Sequence, residues 1–229
     1  QLTVPEGFLA EKIYDVPNKE QGSWISLAAD DQGHLYAGSE KHGIFRFTSP
    51  PQGETVSDVQ AISIGEQTFG AIQGMLYAFD SLYVMNNDKA QKSGLFRFTD
   101  NDGDELLDTA LRILKMDGQG GHGLHAIVVS PDGKTLTINS GNHGHLPENI
   151  DDSRVPLVWD EDLLLPRLPD SNGHASTIKA PGGWVAKINP DGSAFEIFAN
   201  GFRNEFDIAY NPQGELFTFD ADMEWDFGT

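Results

Sequence analysis

Cysteine is absent from the 229 residues, and that single absence removes several chemistries. A disulfide scaffold, a thiolate zinc site, an iron–sulfur cluster, a cysteine nucleophile and thioether-bound haem all require thiol sulfur. Any cofactor must therefore be held by oxygen or nitrogen. Basic side chains are also scarce: 15 stand against 35 acidic ones, a formal charge of -20. A surface of that sign repels phosphate backbones and anionic lipid, so no nucleic-acid partner is expected. Long apolar runs are missing too. Stretches such as Ala126 to Val129 are only strand length, so no membrane span is expected. The first residue is Gln1 rather than methionine, which predicts removal of a leading segment and a periplasmic or secreted location.

What the chain does have is glycine and short aromatic strands that recur. Gly43 to Thr48 reads Gly-Ile-Phe-Arg-Phe-Thr, and 51 residues later Gly94 to Thr99 reads Gly-Leu-Phe-Arg-Phe-Thr. A weaker copy follows at Gly183 to Ile188. Each copy lies after a turn and a strand-like run: Asp31 to Tyr36, Asp80 to Val84, and Pro131 to Leu136. A fourth turn and strand occupy Pro212 to Phe217. Asp-Gly and Gln-Gly pairs supply the positive φ of tight hairpins, and Leu, Tyr and Phe favour strands. A sheet this small cannot bury its faces alone, so copies must pack on one another. A repeat of about 40 to 55 residues is the mark of a β-propeller blade. The expectation is an all-β chain, residues 1–229, holding an incomplete ring of about four blades. The spacing from Gly94 to Gly183 exceeds the first repeat by 38 residues, which places an insertion at 145–178. Rich in acids and proline, it reads as a surface loop. Asp104 to Met116 carries helical spacing, but the repeat favours a strand over Leu111 to Met116.

Four of the seven histidines fall between His122 and His145. If the segments 118–125 and 140–145 are neighbours, then His122, His125, Asn142, His143 and His145 approach one another. A neutral imidazole there suits a general base toward a substrate hydroxyl. The same cluster could bind a transition metal, or simply cap turns. Gly201-Phe-Arg-Asn-Glu205 is a second constellation. Arg203 could grip a carboxylate or a quinone carbonyl, or form an ion pair with Glu205 or Asp207. Two acidic runs could hold calcium. Asp100, Asp102, Asp104 and Asp108 occupy positions 1, 3, 5 and 9 of a loop, although Glu105, at the place of the required glycine, excludes a full EF-hand. Asp220, Asp222 and Glu224 alternate, so an extended backbone would aim them the same way.

With Val4 to Phe8, the His122 segment, and Gly201 to Asn204 followed by Asn211 to Gly214, the chain resembles the soluble glucose and aldose dehydrogenase-like quinoproteins. It is also similar to related dehydrogenase domains of large secreted bacterial proteins. The resemblance spans residues 4 to 228. It implies a six-bladed propeller that binds pyrroloquinoline quinone (PQQ) near its axis, with calcium polarising the quinone, and that oxidises a sugar or other alcohol hydroxyl. An electron acceptor such as a cytochrome or quinone would complete the reaction. Counting back four residues from Ala126, which stands where the family has arginine, the resemblance assigns the base to His122. It sets Arg203, with Asn204, against the quinone and brings Gln73 to the cofactor. The family's calcium region corresponds to Asp220 to Glu224. Its supporting aspartate is replaced by Asn142, which favours the other expectation, a non-catalytic propeller that binds carbohydrate or a protein partner. The family's remaining cofactor-gripping cations come from later blades, so the chain reads as part of a larger ring.

Overall fold

The computed structural model describes residues 3–88, 93–156 and 182–221. After a single helical turn, α1 (Asn18–Gln21), nearly everything ordered is strand. The first sheet holds β1 (Trp24–Ala29), β2 (His34–Ser39), β3 (Ile44–Thr48) and β4 (Gln60–Ala61), antiparallel and in sequence order. The second repeats the plan with β5 (Ile72–Ala78), β6 (Ser81–Asn86), β7 (Gly94–Thr99) and β8 (Thr109–Lys115). The third comprises β9 (Leu124–Val129), β10 (Leu136–Ser140), β11 (Asp152–Ser153), β12 (Gly183–Ile188) and β13 (Glu196–Phe202); β11 adds parallel to the outer edge of β13. A fourth begins with the hairpin β14 (Ile208–Tyr210) and β15 (Leu216–Thr218). The meander of four-stranded blades is therefore present, three times in full and once in part among the described residues. The three related Gly-initiated runs are the third strand of each full blade, and Leu111 to Lys115 is strand, not helix.

The first strands, β1, β5, β9 and β14, are successive neighbours along the inner edge, so each blade presents its opening strand to a common hub. Backbones approach closely there: a Cβ on Gly74 of β5 would collide with the His125 carbonyl of β9, and one on Gly38 of β2 would strike Ile72. Each full blade carries a register shift in its first strand pair, at Trp24/Ser26, Ile72/Gly74 and Ile138/Ser140. All three lie at the same end of the ring, where β-bulges re-aim side chains.

The core lies between blades. Tyr36, Ile72, Leu82, Phe96 and Phe98 fill the space between the first two blades; Tyr83, Leu95, Leu124, Ile138 and Trp184 fill that between the second and third. The described part of the insertion, 145–156, is tied down rather than free. Leu146, Ile150 and Val155 pack on the core, and β11 joins the sheet.

Candidate active site

Segments 118–125 and 140–145 are neighbours at the bulged end of the third blade. A short 3-10 turn, Gly120–His122, leads into β9, and the loop after β10 lies against it through Gly141 N–H to Gly123 O and His143 N–H to His122 O, each 2.9 Å. Glycine is required at 141, because a Cβ there would lie 2.7 Å from the His122 carbonyl oxygen and 2.8 Å from Asn204 Oδ1. The loop is held from beneath by the buried Trp184, whose indole N–H donates to Gly144 O at 2.9 Å.

This packing sets the orientation of His122. The residue is 5% exposed, its Nδ1 lies 2.9 Å from Asn142 Oδ1, and its ring stacks on His143 at 4.8 Å between centroids. Since an amide oxygen only accepts, Nδ1 carries the proton and the lone pair resides on Nε2. Gln73, on β5 of the preceding blade, donates its amide to Gly120 O at 3.2 Å, while its Oε1 is buried without a partner. The exposed Gly120 and Gly121 would meet nothing within 4 Å if they bore a Cβ, so open space adjoins this turn.

Asn142 N–H also donates to Arg203 O at 2.8 Å, which joins the histidine loop to the segment leading into the fourth blade. Asp220 caps that segment, accepting from the Arg203 N–H (2.9 Å) and the Asn204 N–H (2.7 Å), one on each carboxylate oxygen. The Arg203 guanidinium reaches Ala221 O at 3.2 Å. Asn204 turns its Oδ1 to His125 Nε2 at 2.7 Å. His125 is fully buried beside Phe206, and desolvation holds its pKa down at about 4, so it is neutral; its Nδ1 lacks a partner. Glu205 is fully buried, and neither carboxyl oxygen finds a hydrogen bond. Burial pushes its pKa up to about 9 against the opposing pull of nearby backbone N–H groups, with Asp220 adding to the rise. The ion pair of Arg203 with Glu205 is therefore not formed.

His122, Asn142, Gln73, Arg203 and Asn204 thus lie in one connected set, bridged by His125 and Asn204. The four histidines do not converge as metal ligands: His145 is 71% exposed and faces Asp117, and His125 serves Asn204. Among the described residues the only acidic or imidazole group with converging ligand atoms is Asp100, Asp102 and Asp108, at the tip of the β7–β8 hairpin. Asp104 stands apart, accepting the Leu106 N–H, and Asp100 is held below the usual carboxylate range chiefly by the Gly103 N–H. Asp222 and Glu224 lie outside the described residues. Asn139, a buried support of this site, carries no sequence motif that would single it out, and Glu205, visible in the Gly201–Glu205 run as a possible partner of Arg203, is instead buried without a hydrogen bond.

No family model and no curated protein matches the chain by sequence. Solved structures do match it in fold. The holo PQQ domain of pyranose dehydrogenase from Coprinopsis cinerea aligns at TM-score 0.55 and 12% identity, covering 86% of this chain and 43% of that one. A calcium structure of a Trichoderma reesei carbohydrate-active enzyme of family AA12 aligns at 0.58 and 12%, covering 86% and 45%. PQQ-bound aldose sugar dehydrogenase from Streptomyces coelicolor aligns at 0.52 and 16%, covering 87% and 57%. At these identities the likeness is one of fold. The chain has the propeller architecture of soluble quinoprotein dehydrogenases and spans about half the length of the structures it matches.

Proposed function

We propose that the protein contributes to a PQQ-dependent oxidoreductase that oxidises a hydroxyl of a sugar or another small alcohol, with His122 as general base. The observation that carries this reading is the His122–Asn142 hydrogen bond, which fixes the ring and puts its proton on Nδ1. The residues present suit a polar, planar ligand: Gln73 Oε1 is a buried acceptor without a donor, and the Gly120–Gly121 turn leaves room beside it. Gln73, His122, Arg203 and Asn204 are the residues that would hold it. The quinone would supply a two-electron acceptor for the substrate carbon.

The chain's own work is proton transfer and positioning. His122 Nε2 takes the hydroxyl proton, and Asn142 keeps the ring from rotating. Asp220, by fixing the Arg203 and Asn204 backbone, sets the direction of the guanidinium. In this reading calcium belongs to the Asp220 to Glu224 region, with a separate place at Asp100, Asp102 and Asp108. A periplasmic or secreted location and a cytochrome or quinone acceptor are the companion proposals.

Spectroscopic and calorimetric titration with PQQ in calcium tests the cofactor, and dye-linked oxidation of aldoses tests the activity. His122→Ala is expected to lower turnover by about 10²- to 10⁴-fold while PQQ still binds. Failure to bind PQQ at any calcium level would reject the reading. A second reading rests on Asn142 itself. An amide orients an imidazole but does not stabilise its charged form, so a propeller that binds carbohydrate or a protein partner without chemistry would keep this geometry. Sugar binding with no oxidation in the PQQ-loaded protein distinguishes it.

A further inference from the structure

A second polar cluster lies at the opposite end of the first blade. The β1–β2 turn and the end of β3 sit at the far end of their strands from the bulged hub end, as the pairings Ala29 with Leu35 and His34 with Thr48 require. There the His34 ring bridges two charges. Its Nδ1 lies 2.9 Å from Asp30 Oδ2, and its Nε2 lies 2.8 Å from Arg46 Nη2. Guanidinium only donates, so Nε2 accepts, and Nδ1–H donates to Asp30. Asp30 is nearly buried and also accepts from the Tyr36 hydroxyl at 3.1 Å and from two turn N–H groups. Burial raises its pKa, but these hydrogen bonds, led by those from His34, outweigh that effect and hold it below the usual value. It remains a carboxylate.

Arg46 is the unsatisfied member. Its Nε is buried and has no acceptor, and no carboxylate of the described residues lies within 4 Å of its guanidinium; Asp30 sits on the other side of the imidazole. The internal repeat shows that this is not a requirement of the blade. Arg97 stands opposite Tyr83 in the second blade as Arg46 stands opposite Tyr36 in the first. Ser81 occupies the place of His34 there, after the tight turn at Phe79 and Asp80. Among the described residues the first blade alone builds an Asp–His–Arg chain, and His34 and Arg46 of that chain line a cavity of about 270 Å³. Around His34 and Arg46 the cavity is lined with hydroxyls such as Thr48, with the Gln60 amide, and with the carboxylates of Glu54 and Asp58.

We propose that this cavity is a binding site for a small hydroxylated carboxylate of the sugar-acid class. Its carboxylate would accept from Arg46, and its hydroxyls would donate to Glu54 and Asp58. A half-buried guanidinium with an unanswered Nε and no carboxylate beside it suits an anionic acceptor, since Arg presents a fork matched to carboxylate. The rim calls for donors, since ionised carboxylates only accept. A simple anion meets the first demand but brings no hydroxyls to offset its repulsion by the rim; a neutral sugar meets the second and leaves Arg46 unanswered. The site is independent of the chemistry proposed for the hub.

The test is titration of the ¹⁵N-histidine-labelled protein with sodium D-gluconate, followed through the His34 ring nitrogens by NMR. A saturable shift at His34, absent at His122, is expected, with glucose and acetate at least tenfold weaker. Arg46→Lys, which keeps the charge and loses the fork, should weaken gluconate at least tenfold while the His122 signals stay in place. His122→Ala should bind gluconate as the wild type does. No saturable response, an equal response to glucose, or an equal response to acetate would each overturn the assignment.

Discussion

At the scale of the residue, the difference between an amide and an acid at position 142 decides what His122 can do. Its partner atom is a neutral oxygen 2.9 Å away. Replacing it by a carboxylate puts a negative charge beside the ring and favours the imidazolium. Asn142→Asp is therefore expected to raise the His122 pKa by about 1 to 3 units, read from its ring resonances across pH. An unchanged value would mean that the hydrogen bond does not form in solution. Glu205 makes the second residue-scale prediction. Its pKa stands near 9 in the fold against an ordinary 4.5, so between those values the unfolded chain releases a proton that the folded chain keeps. Stability must then fall as pH rises through that window, by up to about 1.4 kcal/mol per pH unit, and level off above it. Glu205→Gln abolishes this slope, so its stability relative to wild type should improve from pH 5 to pH 8 in urea melts. Equal slopes would show that the carboxyl finds a partner or water. The sequence made His122, Asn142 and Arg203 visible because they sit in glycine-flanked motifs. It offered Glu205 only as an ion-pair partner and hid Asn139 and the His34–Arg46 pair, because the role of each comes from burial and from partners on other strands, which local spacing does not report.

At the scale of the element, blades are joined by amides at the end of their second strand. Asn87, just after β6, accepts the Leu124 N–H on its Oδ1 and donates to Leu124 O and Ala71 O. Asn139 in β10 does the same for the next joint, accepting from Ala126 N–H and donating to Glu205 O. These groups complete backbone pairing that the bulges interrupt, so removing one strands several buried donors and acceptors. Asn87→Ala is expected to cost about 2 to 4 kcal/mol, measured by chemical unfolding, whereas Asn101→Ala on the exposed hairpin should cost under about 1 kcal/mol. Similar losses at both positions would contradict the latch. The strands themselves were legible: the Phe-Arg-Phe runs and the Gly-bearing turns fall on the third strands and hairpins. The joints were not, since an asparagine at a strand end reads equally well as a turn residue.

At the scale of the molecule, the blade count follows from the repeat, and the outermost sheets keep apolar side chains exposed, Leu27 on one side and Phe217 and Phe219 on the other. The ring's curvature and its neighbours are set by packing between sheets, which a one-dimensional repeat does not encode. Charge acts at this scale as well. With 35 acidic residues against 15 basic ones, and four ion pairs among the described residues, two of them using histidine, negative charge far exceeds the cations available to balance it. The folded chain holds these charges closer together than the unfolded chain does, so self-repulsion opposes folding. Raising salt from about 10 mM to about 150 mM shortens the screening length from ~30 Å to ~8 Å and removes most of that repulsion while leaving the buried core untouched. The melting temperature should therefore rise with sodium chloride, and do so at pH 7 far more than near pH 4, where many carboxylates have taken up protons. Calcium at equal ionic strength should add to the rise only if it occupies a specific site. Loss of that additional shift in Asp100→Asn would assign it to the β7–β8 tip, and its persistence would assign it elsewhere.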